Sequence, residues 1–242
     1  MNYANKEYTE LFMEKGTKIM NEDLKLLARE LEELRDPDAA AAMSAYQRNQ
    51  FPFLGVRTPL RRQVLKSFLA AHQPKKEWIP LLWEMPEREY QYCGVDIAQS
   101  LRKKLEPADL PMIETCITRH SWWDTVDLLA ASVAGFLLRK YPELQPEYGE
   151  KWLYSDNMWL NRTAILFQLH YKEATDERLL YNYIREHASS NEFFIQKAIG
   201  WALREYSKSN PASVAAFIEQ EELKPLSRRE GLKWLMRAEK TK

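Results

Sequence analysis

The sequence predicts an all-α chain of stacked antiparallel helix pairs, and three observations predict it. Glycine occurs only seven times in 242 residues, too rarely for the many tight turns of a hairpin-rich fold. The twelve prolines fall between segments whose apolar residues repeat at helical spacing, where they separate helices instead of breaking them. Three helix starts also look alike: SWWD at 121–124, SDNMW at 155–159 and SSNEFF at 189–194 each place a polar cap and an early acid or amide near an aromatic. Taking Trp123, Trp159 and Phe194 as equivalent gives spacings of 36 (159 − 123) and 35 (194 − 159). That period suits a paired-helix solenoid of the HEAT-like type, a superhelix whose helix pairs bury their apolar faces only by stacking. A globular helical bundle with coincidental spacing is the alternative.

The elements follow in order. Leu24, Leu27, Leu31 and Leu34 come after Asn21 at helical spacing, giving a first amphipathic helix. Thr58-Pro59 supplies an N-cap with proline at the first helical position, ahead of Leu65 and Leu69. Prolines 74, 80, 86, 107, 111, 142, 146, 211 and 225 punctuate what remains. No linker rich in Gly or Ser interrupts the chain, so one domain over residues 1–242 is expected.

Composition narrows the function classes. Cys93 and Cys116 have no second Cys or His at ligand spacing, which argues against a disulfide framework and a zinc site. The N-terminus is charged from the start, without the apolar core of a signal peptide, and no run is apolar enough to cross a bilayer. A soluble cytoplasmic protein is expected, without a membrane partner and with neither metal nor cofactor. Charge is balanced at 35 basic against 35 acidic residues, so a basic surface would have to come from segregation of charge.

With each aromatic as position zero, Asp127 lies four after Trp123, Arg162 three after Trp159 and Trp201 seven after Phe194. These offsets share one helix face. Stacked in register, two indoles, a carboxylate and a guanidinium would line adjacent rungs of one surface, an unusual composition for a core.

These residues sit in longer motifs. FPFLGVRTPLRRQ (51–63), MPEREYQ (85–91), SWWDTVD (121–127), SDNMWLNRTAILFQL (155–169), NEFFIQKAIGWALREYSKSNP (191–211) and PLSRRE (225–230) occur in one order. Through them the chain resembles the AlkD-like DNA alkylation repair family, the HEAT-like repeat alkylpurine DNA glycosylases, from about Tyr46 to Arg237. The resemblance implies a concave basic face that holds double-stranded DNA and removal of purines alkylated at N3 or N7, such as 3-methyladenine and 7-methylguanine. Residues 46–242 would form the repeats and residues 1–45 N-terminal capping helices. Asp127 matches the catalytic carboxylate, Trp123 and Trp201 the aromatic pair at the lesion, and Arg162 the arginine beside them. It also implies that the base stays stacked, in contrast to enzymes that extrude it.

The chemistry suits those residue types. An N3- or N7-alkylated purine is already cationic and departs as a neutral base, so no general acid is required. The deoxyribose gains oxocarbenium character instead, which a shielded carboxylate at Asp127 can stabilise while it orients or deprotonates water. Indole faces at Trp123 and Trp201 would favour the cationic lesion and transition state. Arg162 would serve a phosphate through its donor fork. No lysine stands at these positions, so a monofunctional enzyme that leaves an abasic site is expected. Trp122 reads as core, and Asp124 as a first-turn acid favoured by the helix dipole.

Backbone contacts are expected from Arg57, Thr58, Arg61 and Arg62 at a helix N-terminus, from Lys197 and Arg204 flanking Trp201, and from Arg228 and Arg229. Arg57 departs from the glutamine that relatives carry before Thr-Pro. The bland reading gives these residues ordinary solvated charges and Asp127 a structural bridge to Arg162. Two other functions compete with the glycosylase: a non-catalytic reader of branched or distorted DNA on the same scaffold, and a protein-binding solenoid. A monomer associated with the nucleoid when acting on DNA is expected.

Overall fold

The computed structural model describes residues 22–240. The reading of the extreme N-terminus and the Asn21 position fall outside them. Within the described residues the regular structure is all helical, without a strand, and the chain divides between Leu105 and Glu106 into two compact units. None of these helices is long and apolar enough to cross a membrane.

The first unit opens with α1 (Glu22–Glu32), which buries Leu24, Leu27 and Leu31. Leu34 lies just past its end, in a turn that closes on the Leu31 carbonyl. Helix α2 (Pro37–Tyr46) starts where Asp36 accepts the amides of Asp38 and Ala39, with proline in the first turn. Helix α3 (Thr58–Ala71) begins one residue earlier than the Thr58 cap expected from sequence. Arg57 holds the cap position in extended geometry and Thr58 is the first helical residue, a shift within the usual uncertainty of helix ends. Arg61, Leu65 and Phe68 form the buried face of α3. Helices α4 (Trp78–Trp83) and α5 (Arg88–Leu101) complete the unit.

The loop that feeds α3 is fixed by a buried acid. Glu89, at the start of α5, accepts the amides of Leu54, Gly55 and Val56 at 3.0, 2.9 and 3.1 Å, so donors with no helical partner are satisfied away from water. Burial raises the Glu89 carboxyl, and these amides pull it back. Gly55 has φ +92, and a Cβ there would sit 2.0 Å from the Asp36 carbonyl oxygen. Gly55→Ala is therefore expected to destabilise the fold by about 2–4 kcal/mol, from left-handed strain together with a backbone clash. A urea denaturation midpoint matching that of the wild type would contradict this packing.

The second unit contains α6 (Leu110–Thr118), α7 (Trp123–Leu129), a π-helical turn at 130–134 and α8 (Gly135–Lys140). After them come α9 (Gln145–Leu153), α10 (Met158–Leu166), α11 (Glu177–His187), α12 (Phe193–Tyr206), α13 (Pro211–Gln220) and α14 (Pro225–Lys240). Asn157, Asp176 and Asn210 cap α10, α11 and α13 through their side chains. The core runs through Ile165, Leu166, Ile184, Ile199, Leu203 and Ile218, among others, with Trp201 packed partly buried against it. Helices α12 and α14 approach closely because residue 200 is glycine: a Cβ there would lie 2.4 Å from Cβ of Glu230 and 2.9 Å from the Ser227 carbonyl oxygen.

Candidate functional site

Helices α7, α10 and α12 start at Trp123, Met158 and Phe193, spacings of 35 (158 − 123) and 35 (193 − 158). Counted from those starts, Asp127 in α7 and Arg162 in α10 occupy the same place, and the two side chains meet. Arg162 donates from Nε to Asp127 Oδ1 at 2.6 Å and from Nη2 to Oδ2 at 2.8 Å. Its Nη1 donates to the backbone carbonyl of Phe194 at the start of α12. The fork thus ties three helices together, and the guanidinium is buried. The phosphate contact expected of Arg162 finds no support here, because every guanidinium nitrogen already has a partner within the protein.

Asp127 keeps 11% of its side chain accessible. Burial pushes its carboxyl up; the hydrogen bonds and charge of Arg162 pull it down, and nearby Asp124 pushes it up again. An acid held this way is short of water and fixed in orientation. Each oxygen accepts one hydrogen bond from Arg162 and retains further lone-pair capacity for another donor or a developing positive charge.

The aromatics separate into two sets. Trp122, Trp159 and Phe194 gather into a three-ring cluster with centroid separations of 5.8, 5.0 and 5.0 Å. Trp122 packs in this cluster but stays only partly buried, as do Trp159 and Phe194, so it is not the core residue expected from sequence; the equivalence of Trp123 with Trp159 and Phe194 is off by one residue. Trp122 precedes the helix in extended conformation, φ −158 and ψ 159, so its ring projects where a helical residue's would not. Trp123 shares a helix face with Asp127 one turn later and is partly buried. Trp201 is partly buried two turns along α12 from Phe194.

The expected backbone contacts fare unequally. In the first unit Arg57 and Thr58 are exposed at the α3 N-terminus. Arg62 is exposed while reaching Asp96 at 3.3 Å. Arg61 is buried: it donates to Asp96 at 2.8 Å and lies over the Tyr92 ring at 5.2 Å. Its position on the Leu65–Phe68 face turns it inward, so it holds the unit together and is not presented to a ligand. In the second unit Arg229 is exposed, and Arg228, also exposed, donates to the Ile218 carbonyl in the last turn of α13. Lys197 and Arg204 both reach Glu230, at 3.0 and 3.0 Å.

Glu230 is the residue that sequence reasoning missed. It is buried under α12 and takes a third cation, Lys233, at 2.7 Å. Burial tends to raise its carboxyl, yet hydrogen bonds from Lys233 and Lys197, with their charges, prevail and hold it down at about 2. The i,i+3 spacing of Glu230 and Lys233 was the one visible signal.

The profile of a family described as DNA alkylation repair enzyme matches residues 27–235. A solved structure, the predicted DNA alkylation repair enzyme from Enterococcus faecalis, is 34% identical in sequence and superposes with a TM-score of 0.78, over 83% of this chain and 96% of that one. No curated protein matches the sequence.

Proposed function

The chain belongs to the DNA alkylation repair enzyme family, and from that premise we propose that it is a monofunctional alkylpurine DNA glycosylase. It hydrolyses the N-glycosidic bond of cationic N3- or N7-alkylated purines in duplex DNA, without a cofactor and without extruding the base. The observation that carries the reading is Asp127, a carboxylate nearly closed off from water yet still reachable, with both oxygens set by Arg162.

The bond between C1′ and the purine nitrogen breaks with its electron pair leaving on the base, which becomes neutral. Positive charge passes to the sugar, where a fixed carboxylate in a dry setting stabilises it with little reorganisation. Water then adds to C1′ and gives its proton to Asp127 or to solvent, leaving an abasic site. Arg162 works through Asp127: it keeps the carboxylate ionised and aimed. The helix starts recurring every 35 residues in the second unit support a HEAT-like repeat.

The indoles favour cationic species by about 0.5–2 kcal/mol each. Trp123→Ala and Trp201→Ala are therefore expected to slow release of 7-methylguanine by about 2- to 30-fold each. Single-turnover assays measure this; unchanged rates in both variants would remove the indoles from the mechanism. One observation favours a non-catalytic reader of branched or distorted DNA, namely that Arg162 engages both Asp127 oxygens as a structural ion pair would. That reading predicts junction binding with no base release.

A further inference from the structure

We propose that Glu230 is a positioning residue: its buried carboxylate gathers Lys197 and Arg204 on either side of Trp201 and presents them as a preformed pair of cations to DNA phosphates. The inference rests on the glycosylase reading and adds to it the residue that organises the grip beside the lesion.

Lys197 lies four residues before Trp201 and Arg204 three after it, so all three share one face of α12. Glu230 reaches that face from α14. Its Oε1 takes Lys197 and its Oε2 takes Arg204 and Lys233, at 3.0, 3.0 and 2.7 Å. Gly200 is what lets α14 come close enough for a short acid to reach both.

The balance of charge argues for more than a bridge. One carboxylate, 6% exposed, holds three cations whose side chains are 38%, 31% and 45% exposed. Neutralising a single acid needs one partner, so two positive charges are left over at the surface. Long cationic side chains lose rotamer freedom on grasping a phosphate, and a buried anchor bears that cost before the ligand arrives. Arg229, the neighbour of Glu230 in α14, is exposed as well.

The test is Glu230→Gln, with duplex affinity followed by fluorescence anisotropy between 50 and 200 mM salt, using a duplex that contains 7-methylguanine. Net charge becomes more positive by one, so simple electrostatics predicts tighter binding. Positioning predicts the reverse: affinity about tenfold weaker, and a logarithmic salt slope shallower by about one to two phosphate contacts. In base release the loss falls on the half-saturating concentration more than on the saturating rate, and Glu230→Asp restores part of it. Lys197→Gln adds little to Glu230→Gln although it weakens the wild type, as coupled residues require.

Affinity and slope equal to or greater than wild type in Glu230→Gln overturn the inference. If that variant does not fold, Lys197→Gln and Arg204→Gln, which leave Glu230 paired with Lys233, carry the same test: each lowers the slope by about one, and unchanged slopes overturn the inference. Wild-type protein that binds no duplex overturns the proposed function as well, a result distinct from binding that ignores Glu230.

Discussion

Asp127→Asn is expected to slow release of 7-methylguanine from duplex DNA by about 10²–10³-fold, the usual loss when one preorganised charge is removed from a transition state. The amide keeps the shape of the carboxylate and can still accept from Arg162 through its oxygen. What it lacks is the negative charge that answers the sugar's positive charge. Duplex affinity should hold or rise, because a negative group next to phosphates is lost. The pH profile gives the same information from another side. Burial raises the Asp127 carboxyl above its ordinary value, and only the ionised form works. Wild-type rates therefore fall as pH drops through that raised value, at less acid pH than a solvated aspartate would give. The Asn variant should lack this limb.

Arg162→Met should carry the largest cost in stability. It leaves Asp127 buried without its counter-ion and the Phe194 carbonyl without its donor, and breaking one side of a buried pair typically costs about 3–5 kcal/mol. The pH dependence fixes the cause. Without Arg162 the forces that pull the Asp127 carboxyl down disappear, so its value in the folded protein rises further. An acid whose folded value lies above its unfolded value loses stability as pH increases between the two. The deficit of Arg162→Met should therefore be small in acid and grow toward neutrality, and the acid limb of any remaining base release should shift toward neutral pH. Adding Asp127→Asn should recover most of the stability, since a buried amide requires no counter-ion. Thermal midpoints across pH measure both effects. A deficit independent of pH would mean that the guanidinium stem's packing, not its charge, is what the fold needs.

Several helix starts were legible because their signals are local: Thr58-Pro59 opens α3, and Asn157 caps α10 through the amide two residues on. The pairing of Asp127 with Arg162 was legible as the structural alternative, but their equal offset of four was not, because Arg162 counts three from Trp159 and the helix starts one residue earlier, at Met158. What the sequence obscured depends on geometry between elements or just outside them. Trp122 and Trp123 are neighbours in the chain, and only the extended backbone before α7 decides which ring joins Trp159 and Phe194. Arg61 and Arg62 look equivalent as a basic pair, yet one step around a helix buries the first against Asp96 and exposes the second. Glu230 gives almost no local sign, because Lys197 and Arg204 come from a different helix and reach it only through the close approach at Gly200.

Incubation of the wild-type protein, free of added metal or cofactor, with a duplex carrying one 7-methylguanine, followed by assay of both products, decides whether Asp127 serves a glycosylase. Glycosylase activity should give free 7-methylguanine above the spontaneous rate, in step with an abasic strand that stays intact until treated with alkali. A duplex that the protein binds while base release stays at the protein-free rate would contradict it.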